Sequence, residues 1–516
     1  MEELNSFLKS KGWSIKDYKH DGLSHIFHIA LPDDFESKFE DLRIELKSKS
    51  FPERFSPIVR EVGGEALLIL LPKPNQSFKS QRTNVYLFLA TVFTTMWAGA
   101  LMYAGYSNYE SESSWFLFTI FLEPRLLLMG FLTFSIPLLT ILGVHEFAHY
   151  FYAKKHNLDS SLPFFIPFPP PFLLGTMGAM ISIREPIPNR KALFDVGVSG
   201  PIAGFIIAIP ITLLGFLLTE MVKAPVPEDT GSVYYLGTPI IWSALIWIAV
   251  KIMPLSGAYL THPVAFAGWA GFLVTAINLF PAGQLDGGHI SRALLGNKSK
   301  YFSYLTMSML FFLGFVGIPG IVDPYFGWLI FGVLIFFMGI LHPPPSEEIT
   351  SLDFNRKIVG AFSVLMLIVC FVPSPLMVGE SPFDISIESS DSEFTTASNA
   401  SFEMLVWLNN TGTVTDNLSL SFVHNESWSV SLSSFTIWSV NDTLLASDSN
   451  FSSDVFYFDN ETNIYSLNLS ASDYSNLTLV VTVPEEAIDD SYTIKIKVSG
   501  RNEALYTKAI VVIVED

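Results

Sequence analysis

The sequence predicts a mainly α-helical polytopic membrane protein with a small N-terminal α+β domain and a C-terminal all-β domain. Of its 516 residues, 50% are hydrophobic and only 15% are charged. The mean hydropathy is +0.40, which is too apolar for an ordinary soluble enzyme. Apolar stretches near the ~20 residues that cross a bilayer recur through the middle of the chain. We therefore expect a lipid bilayer around the core, with domain boundaries at residues 80 and 380.

The N-terminal region, residues 1–80, is polar and mixed in composition. The pattern predicts a strand in SHIFHIALP, a helix in DDFESKFEDLRIELKS capped by Asp33 or Asp34, and a hairpin in SPIVREVGGEALLILLP. The first residues, MEELNSFLKSKGW, have no apolar core of the length that a signal peptide needs. We expect a small α+β domain here and a later transmembrane helix that directs targeting.

Apolar segments in residues 81–379 predict the membrane core. Eight are visible, at 84–106, 126–152, 193–218, 233–253, 263–281, 301–319, 324–342 and 358–378. Lys and Arg accumulate in short cytoplasmic loops. Four basic groups should therefore be cytoplasmic: Lys154 with Lys155; Arg184, Arg190 and Lys191; Arg292, Lys298 and Lys300; and Arg356 with Lys357.

A single orientation in the membrane places all four basic groups in the cytoplasm if about seven segments cross the bilayer and 233–253 lies flat at the outer interface. That segment is broken by Pro239 and carries Trp242 and Trp247, as interfacial segments do. The alternative, that 233–253 spans the membrane, stays open. The protein should then be a multi-pass protein of the cell membrane, with a cytoplasmic N-terminal domain and the C-terminal domain outside.

The C-terminal region, residues 380–516, holds 21 acidic and four basic residues, which is nearly all of the net charge of -19. Its short alternating runs predict a β-sandwich of the Ig-like type. Its negative charge would repel anionic lipid headgroups and nucleic acid, so we expect this region to project into solvent and expect no nucleic-acid partner. Nine Asn-x-Ser/Thr sequons begin at Asn399, Asn409, Asn417, Asn425, Asn441, Asn450, Asn460, Asn468 and Asn476. They predict glycosylation of an extracytoplasmic domain, although a composition rich in Ser, Thr and Asn also produces sequons.

The sharpest local motif is HEFAH at 145–149, which follows a long apolar run. On a helix, His145 and His149 point to the same face and can bind one zinc ion, while Glu146 reaches the bound water. Placing these polar groups at membrane depth costs roughly 2–3 kcal/mol per charge. We therefore predict that His145 and His149 bind zinc and that Glu146 is the catalytic base.

A third ligand is expected in NLFPAGQLDGGH, residues 278–289. Asp286 is followed by two glycines that allow close backbone approach, while Pro281 and Gly283 break the helix before it. His289 is a rival third ligand, and we rank it below Asp286, with a hydrogen bond behind the ligands as its expected role. Asn278 either packs between helices or holds substrate backbone and the developing oxyanion.

Between these motifs, PFFIPFPPPFLLGTMGAMISI at 163–183 is apolar but rich in proline, which disfavours a membrane-crossing helix. A re-entrant loop buried against protein fits better. Its strand-like GAMISI either pairs with an extended substrate or forms a plain structural lid. GPIAG at 200–204 predicts close helix packing.

HEFAHY in an apolar helix, followed by N-x-x-P-x-x-x-L-D-G, resembles the site-2 protease family of intramembrane zinc metalloproteases. The stretches from GTMGAMISI to GPIAGF and from HPVAFAGW to LDGGH are similar to the branch that includes chloroplast zinc proteases and their bacterial and archaeal relatives. The resemblance implies one zinc ion held by His145, His149 and Asp286, with Glu146 as general base. It also implies that transmembrane segments of other membrane proteins are the substrates, cut in regulated intramembrane proteolysis.

Two other classes of function fit the sequence less well than a protease does. A surface-binding module on an inactive core is disfavoured because all four motif residues are intact, and a metal transporter is disfavoured because other acidic residues in the apolar segments are few. The lone Cys370 excludes an intrachain disulfide and a cysteine-built metal site.

Overall fold

The computed structural model describes residues 2–22, 24–48, 55–63, 65–72, 81–107, 109, 115–219, 233–252, 261–319, 322–379, 385–411, 416–424, 427–439, 443–448, 456–459, 464–470, 472–487, 490–499 and 505–514. The chain divides into two compact units. The first comprises residues 1–220 and 237–375, and the second comprises 221–236 and 376–516. The predicted boundaries at residues 80 and 380 remain predictions.

The N-terminal region contains two helices and a sheet within its described residues: α1 (Glu2–Ser10), β1 (Ser14–Asp21), β2 (Ser24–Ala30), α2 (Phe35–Ser48), β3 (Phe55–Val62) and β4 (Glu65–Pro72). The antiparallel sheet has the order β1-β2-β4-β3. Phe27 and Leu68 of the sheet share a hydrophobic cluster with Leu8 and Phe39 of the helices. The predicted strand, helix and hairpin are confirmed; Gly64 of the hairpin turn lies outside the described residues.

Helices fill the core of the first unit. They are α3 (Gln81–Tyr106), α4 (Phe116–Thr119), α5 (Pro124–Gly130), α6 (Ile136–Lys155), α7 (Arg190–Leu217), α8 (Ile240–Ile252), α9 (Pro263–Leu279), α10 (Asp286–Leu295), α11 (Ser299–Phe315), α12 (Phe326–Met338) and α13 (Phe354–Cys370). A π-helical turn at Phe131–Ser135 joins α5 to α6 in one continuous stretch. Asn189 caps α7 and Asp353 caps α13 through their side-chain oxygens.

Three of the helices in the described part of the chain are long and apolar enough to cross a membrane: 82–106, 124–155 and 190–217. Helices α8, α9 and α12 are apolar but shorter. Each of the eight predicted segments is at least partly helical, and 126–152 contains α5 and α6 as one continuous stretch. Segment 233–253 also contains strand β7 (Val233–Leu236) before α8, and 358–378 ends in a further strand. A helical core with apolar spans is therefore confirmed, while seven crossings remain a prediction.

Hydrogen bonds between chain segments divide the helix ends into two groups. In the first group, Tyr106 at the end of α3 donates to the carbonyl of Leu218, just after α7. The backbone N–H of His262, just before α9, donates to the hydroxyl of Thr219, also just after α7. In the second group, Asn84 near the start of α3 donates to the carbonyl of Leu162, which follows α6 in the chain. Arg190 at the start of α7 donates to the carbonyl of Ala293 near the end of α10. Consecutive long helices therefore run in opposite directions.

The N-terminal domain contacts the second group of helix ends. Arg43 is only 5% exposed and donates to the carbonyl of His156, just after α6, at 2.7 Å. Lys47 pairs with Glu185 at 2.6 Å, and the backbone N–H of Val59 in β3 donates to the carbonyl of Ser346 at 2.8 Å. These contacts hold the small domain at the end of the core where α6, the helix that contains HEFAH, ends.

The proline-rich segment between α6 and α7 forms a hairpin of β5 (Phe164–Pro167) and β6 (Thr176–Met180). Gly175, with φ +69°, turns the chain where a Cβ would meet the carbonyl oxygen of Thr94 at 2.5 Å. The hairpin therefore lies directly against α3. A membrane-crossing helix is absent from these described residues, as predicted.

The second unit contains a short pair, β7 with β8 (Leu376–Gly379), and two larger sheets. Their strands are β9 (Ile385–Ser389), β10 (Glu393–Thr396), β11 (Ser401–Asn410), β12 (Asp416–Val423), β13 (Ser429–Trp438), β14 (Leu444–Asp448), β15 (Phe456–Asp459), β16 (Ile464–Leu469), β17 (Tyr474–Thr482), β18 (Asp490–Ser499) and β19 (Leu505–Val514). The described strands form sheets of order β10-β19-β18-β12-β16-β15 and β14-β13-β17-β11-β9.

Residues of both larger sheets belong to one hydrophobic cluster, for example Leu479 of β17 and Ile496 of β18. A core shared by two sheets is compatible with the predicted sandwich. The β-rich character of the region is confirmed, and its Ig-like type stays a prediction. Sequons at Asn425, Asn441, Asn450 and Asn460 lie outside the described residues.

Candidate metal centre

Helix α6 presents two histidines from consecutive turns. His145 and His149 are four residues apart, so their side chains point to the same face of the helix. Both are buried, at 3% and 5% exposure, although the helix is apolar around them. Their Nε2 atoms are 3.0 Å apart. The spacing read from HEFAH thus produces a converging pair of imidazole nitrogens.

Asp286 reaches the same point from the first residue of α10. Helix α9 ends at Leu279, and the chain reverses through Gly283, which has φ +57°. A Cβ on Gly287 would lie 2.1 Å from the carbonyl oxygen of Leu279, and one on Gly288 would lie 2.3 Å from that of Gly283. Only glycines allow this close approach. The physical reason given for the two glycines after Asp286 is therefore confirmed.

The three side chains form a nearly equilateral set of donor atoms. Asp286 Oδ2 lies 3.2 Å from His145 Nε2 and 3.3 Å from His149 Nε2. Ligands about 2.05 Å from a tetrahedral zinc ion are separated by about 3.3 Å, and two imidazoles with one carboxylate leave a fourth position open. Within the described residues these three are the group whose ligand atoms converge in this way. The donor set and its spacing fit a zinc ion.

A backbone carbonyl on α7 orients one of the histidines. The Nδ1 of His149 donates to the carbonyl of Val196 at 2.7 Å, which leaves Nε2 free to act as a ligand. Sequence reasoning did not find Val196, because a backbone carbonyl has no sequence signature.

Glycines of α7 bring that helix against the histidines. A Cβ on Gly200 would lie 2.0 Å from His149 Nε2, and one on Gly204 would lie 3.2 Å from His145 Nδ1. The small residues of GPIAG were expected to allow close helix packing, and they do so against the two histidines of the candidate metal centre. Their spacing was the available signal, but it did not indicate which side chains they face.

The remaining predicted site residues lie around the cluster. Glu146 is buried at 7% exposure on the same turn of α6. Asn278 Nδ2 lies 3.4 Å from His145 Nε2. His289 Nδ1 donates to the carbonyl of Leu285 at 3.0 Å, and its ring packs edge-on against His342. The roles predicted for these three residues remain predictions.

Comparison with known proteins agrees with this geometry. Residues 133–316 match Peptidase family M50. The probable zinc metalloprotease EGY2 of Oryza sativa subsp. indica, named as chloroplastic, is 34% identical over 257 residues, which cover 48% of this chain and 42% of that protein. The probable zinc metallopeptidase EGY3 of Arabidopsis thaliana, also named as chloroplastic, is 27% identical over 49% of this chain and 44% of its own length. The chain thus spans less than half the length of these curated relatives.

Solved structures match about a quarter of the chain with low scores. A family 123 glycoside hydrolase from Clostridium perfringens has a TM-score of 0.19 at 13% identity and covers 26% of this chain. A likeness at this level carries no argument about fold or function.

The helical core brings HEFAH, on an apolar helix, together with a converging carboxylate, which is an arrangement typical of metallopeptidases. The family match runs through the same helices and includes both motifs. Residues 133–316 of this chain are therefore similar to Peptidase family M50, and the curated zinc metalloproteases resemble about half of the chain.

Proposed function

We propose that this chain is an intramembrane zinc endopeptidase that hydrolyses peptide bonds in or near transmembrane segments of membrane proteins. The observation that carries this proposal is the triangle of His145, His149 and Asp286, with sides of 3.0 to 3.3 Å. Two of its corners lie on a helical stretch long and apolar enough to cross a membrane. Regulated intramembrane proteolysis is the cellular role consistent with such a site.

In this mechanism His145, His149 and Asp286 hold one zinc ion per chain. When bound there, zinc supplies Lewis acidity, which polarises a carbonyl and makes water a better nucleophile. Glu146, buried beside the ligands, takes the proton from the attacking water and passes it to the leaving amine. The amide of Asn278 is close enough to the cluster to donate to substrate backbone or to the developing oxyanion; packing between helices is the alternative.

The hairpin β5–β6 supports a way of holding the substrate. Within the described residues β6 pairs with β5 alone, so its other edge has no neighbouring strand. A transmembrane helix must become extended before its peptide bonds are accessible, and an extended segment can pair with such an edge. A plain structural lid is the alternative role for this hairpin.

The site is proposed to lie near the cytoplasmic face, because the basic pair Lys154–Lys155 ends the helix that carries it. Cleavage would then release the cytoplasmic part of the substrate. We propose the cell membrane as the location, with residues 1–80 inside and residues 380–516 outside and glycosylated. The relatives are named as chloroplastic, and that location is a property of those proteins.

Glu146→Gln is the direct test of the mechanism. This variant should keep zinc, because the three ligands remain, and should lose proteolysis by roughly 10²- to 10⁴-fold, because the base is gone. Zinc content and cleavage of a designed transmembrane substrate are measured on the purified protein in proteoliposomes. Glu123→Gln, at the other end of the same helical stretch, is the control and should leave both unchanged. Normal cleavage by Glu146→Gln would refute the mechanism.

A further inference from the structure

A partly buried ion cluster joins three helices beside the candidate metal centre. Asp195, on the second turn of α7, accepts from His156 Nε2 at 2.9 Å. It also accepts from Arg356 through Nε at 2.7 Å and Nη2 at 2.6 Å, which is a two-pronged contact. His156 directly follows α6, and Arg356 lies in the first turn of α13. The carboxylate of Asp195 therefore ties α6, α7 and α13 together at one end.

This cluster adjoins the carbonyl that orients His149. Val196 follows Asp195 in α7, and its carbonyl accepts from His149 Nδ1 at 2.7 Å and from Ser199 Oγ at 2.9 Å. The position of this carbonyl relative to His149 depends on how the first turns of α7 sit against α6. Asp195 is bound both by His156, which follows α6, and by Arg356 of α13. The first turns of α7 are therefore fixed against both of these neighbouring segments.

We propose that Asp195, together with His156 and Arg356, is a positioning unit for the metal centre. It fixes the Val196 carbonyl against His149 Nδ1, and this aims His149 Nε2 at the point where His145 and Asp286 converge. The inference rests on the proposed zinc site and assigns the three residues no contact with metal or substrate. Partners behind metal ligands commonly change metal affinity by 10- to 100-fold when they are removed.

A simple structural clasp is the competing explanation, and a neighbouring ion pair provides the comparison. Lys191 lies one turn earlier on α7 and pairs with Glu36 of the N-terminal domain at 2.7 Å. This pair also anchors the start of α7, but its ion-pair partner lies in the N-terminal domain and not on α6 or α13. If the Asp195 cluster is only a structural clasp, removing either anchor should have a comparable effect on zinc release. If the cluster positions the metal centre, only its removal should change the rate of zinc release.

The experiment measures the rate of zinc transfer from the purified full chain to a chromophoric chelator, well below the unfolding temperature. Asp195→Asn keeps the size and removes the charge, so zinc should leave at least about tenfold faster. Lys191→Met should stay within about twofold of the wild type, as expected for a partly exposed pair. Asp195→Glu, which restores the carboxylate, should recover part of the loss. Thermal unfolding of the zinc-free proteins reports stability separately.

Each outcome decides between the claims. If the wild type holds zinc and Asp195→Asn releases it at the same rate, the positioning role is wrong. It is equally wrong if both variants release zinc faster in proportion to lost stability of the zinc-free protein. If the wild type holds no zinc, the proposed metal centre itself fails. Should Asp195→Asn not fold, Arg356→Lys keeps the charge, loses the two-pronged contact, and should still accelerate zinc release.

Discussion

At the scale of single residues, the geometry of the candidate metal centre depends on the absence of a side chain at Gly200 of α7. A methyl group there would lie 2.0 Å from His149 Nε2, so the imidazole would have to move. Alanine is favoured over glycine in helices by about 1 kcal/mol. The helix would therefore gain stability by propensity while the site loses its geometry.

We predict that Gly200→Ala lowers zinc affinity at least about tenfold, comparable to the loss of a partner behind a ligand, and abolishes proteolysis. Gly143→Ala on α6 is the matched control, because an added Cβ there has no described atom within 4 Å. Its zinc affinity should equal that of the wild type. Zinc affinity is measured by titration with a competing chelator. Unaltered zinc binding by Gly200→Ala would show that α7 shifts enough to accommodate the added methyl group, and the prediction would then be wrong.

The ligand assignment gives a second prediction at this scale. His145→Ala, His149→Ala and Asp286→Ala should each lose bound zinc, because each removes one of three converging ligands. His289→Ala should largely retain it, since His289 Nδ1 is engaged by the carbonyl of Leu285. Metal content of the purified variants decides the matter. Zinc loss from His289→Ala but not from Asp286→Ala would mean that His289, and not Asp286, is the third ligand.

The side chains that converge at the centre were predictable from sequence, whereas the atoms that orient them were not. His145 and His149 follow from helical spacing, and Asp286 follows from a carboxylate beside glycines at the end of an apolar segment. The carbonyl of Val196 and the contact with Gly200 depend on how α7 packs against α6. That packing is a tertiary relation between residues about 50 positions apart, and no local pattern encodes it.

At the scale of elements, α8 decides whether the number of crossings is seven or eight. It contains 13 residues, so it is about 20 Å long against a hydrocarbon core of about 30 Å. Length alone does not exclude a crossing, because α12 is equally short. The stronger argument is that Thr219 and His262, on either side of α8, are hydrogen-bonded at 3.4 Å. A single pass between them would place them on opposite faces.

We therefore predict that both sides of α8 are accessible from outside the cell. In a Cys370→Ser background, single cysteines at positions 107, 232 and 256 should react with a membrane-impermeant thiol reagent added to intact cells. A cysteine at Ser299 should react only after the membrane is opened, and it serves as the internal control. Positions 232 and 256 lie outside the described residues. Labelling of these two from opposite faces would mean that α8 spans the membrane.

The elements were largely predictable because bilayer-length apolar runs and alternating runs are strong signals. Helices occur in all eight apolar segments, and strands occur in the N-terminal and C-terminal regions as predicted. The π-helical turn at Phe131–Ser135 and the strand β7 at Val233–Leu236 were not predicted. Both sequences are apolar, and their local pattern fits an α-helix equally well. Their conformation therefore depends on contacts with neighbouring segments, which the local pattern does not show.

At the scale of the whole molecule, the N-terminal domain is part of the same compact unit as the helical core. Arg43 is almost fully buried where it donates to the carbonyl of His156 at the end of α6. Cations stabilise the carbonyl end of a helix. The domain thus provides a cap for the helix that carries His145 and His149, which was not expected of a separate cytoplasmic module.

Glycosylation of the C-terminal region stays a prediction. Asn417 and Asn468 are exposed and lie directly opposite each other on neighbouring strands. A sequon also begins at Asn297, on the side predicted to be cytoplasmic. The sequence motif by itself therefore does not separate modified from unmodified sites, and topology has to supply the distinction.

The pairing of β3 with Ser346 bears on how this chain is made. β3 is an edge strand, and unpaired edges invite association with other chains. Ser346 lies 286 residues after Arg60 of that strand. At synthesis rates of about 5 to 20 residues per second, the edge waits roughly 15 to 60 s for its partner. During that interval the newly made N-terminal domain presents an open sheet edge while most of the helical core is still being synthesised.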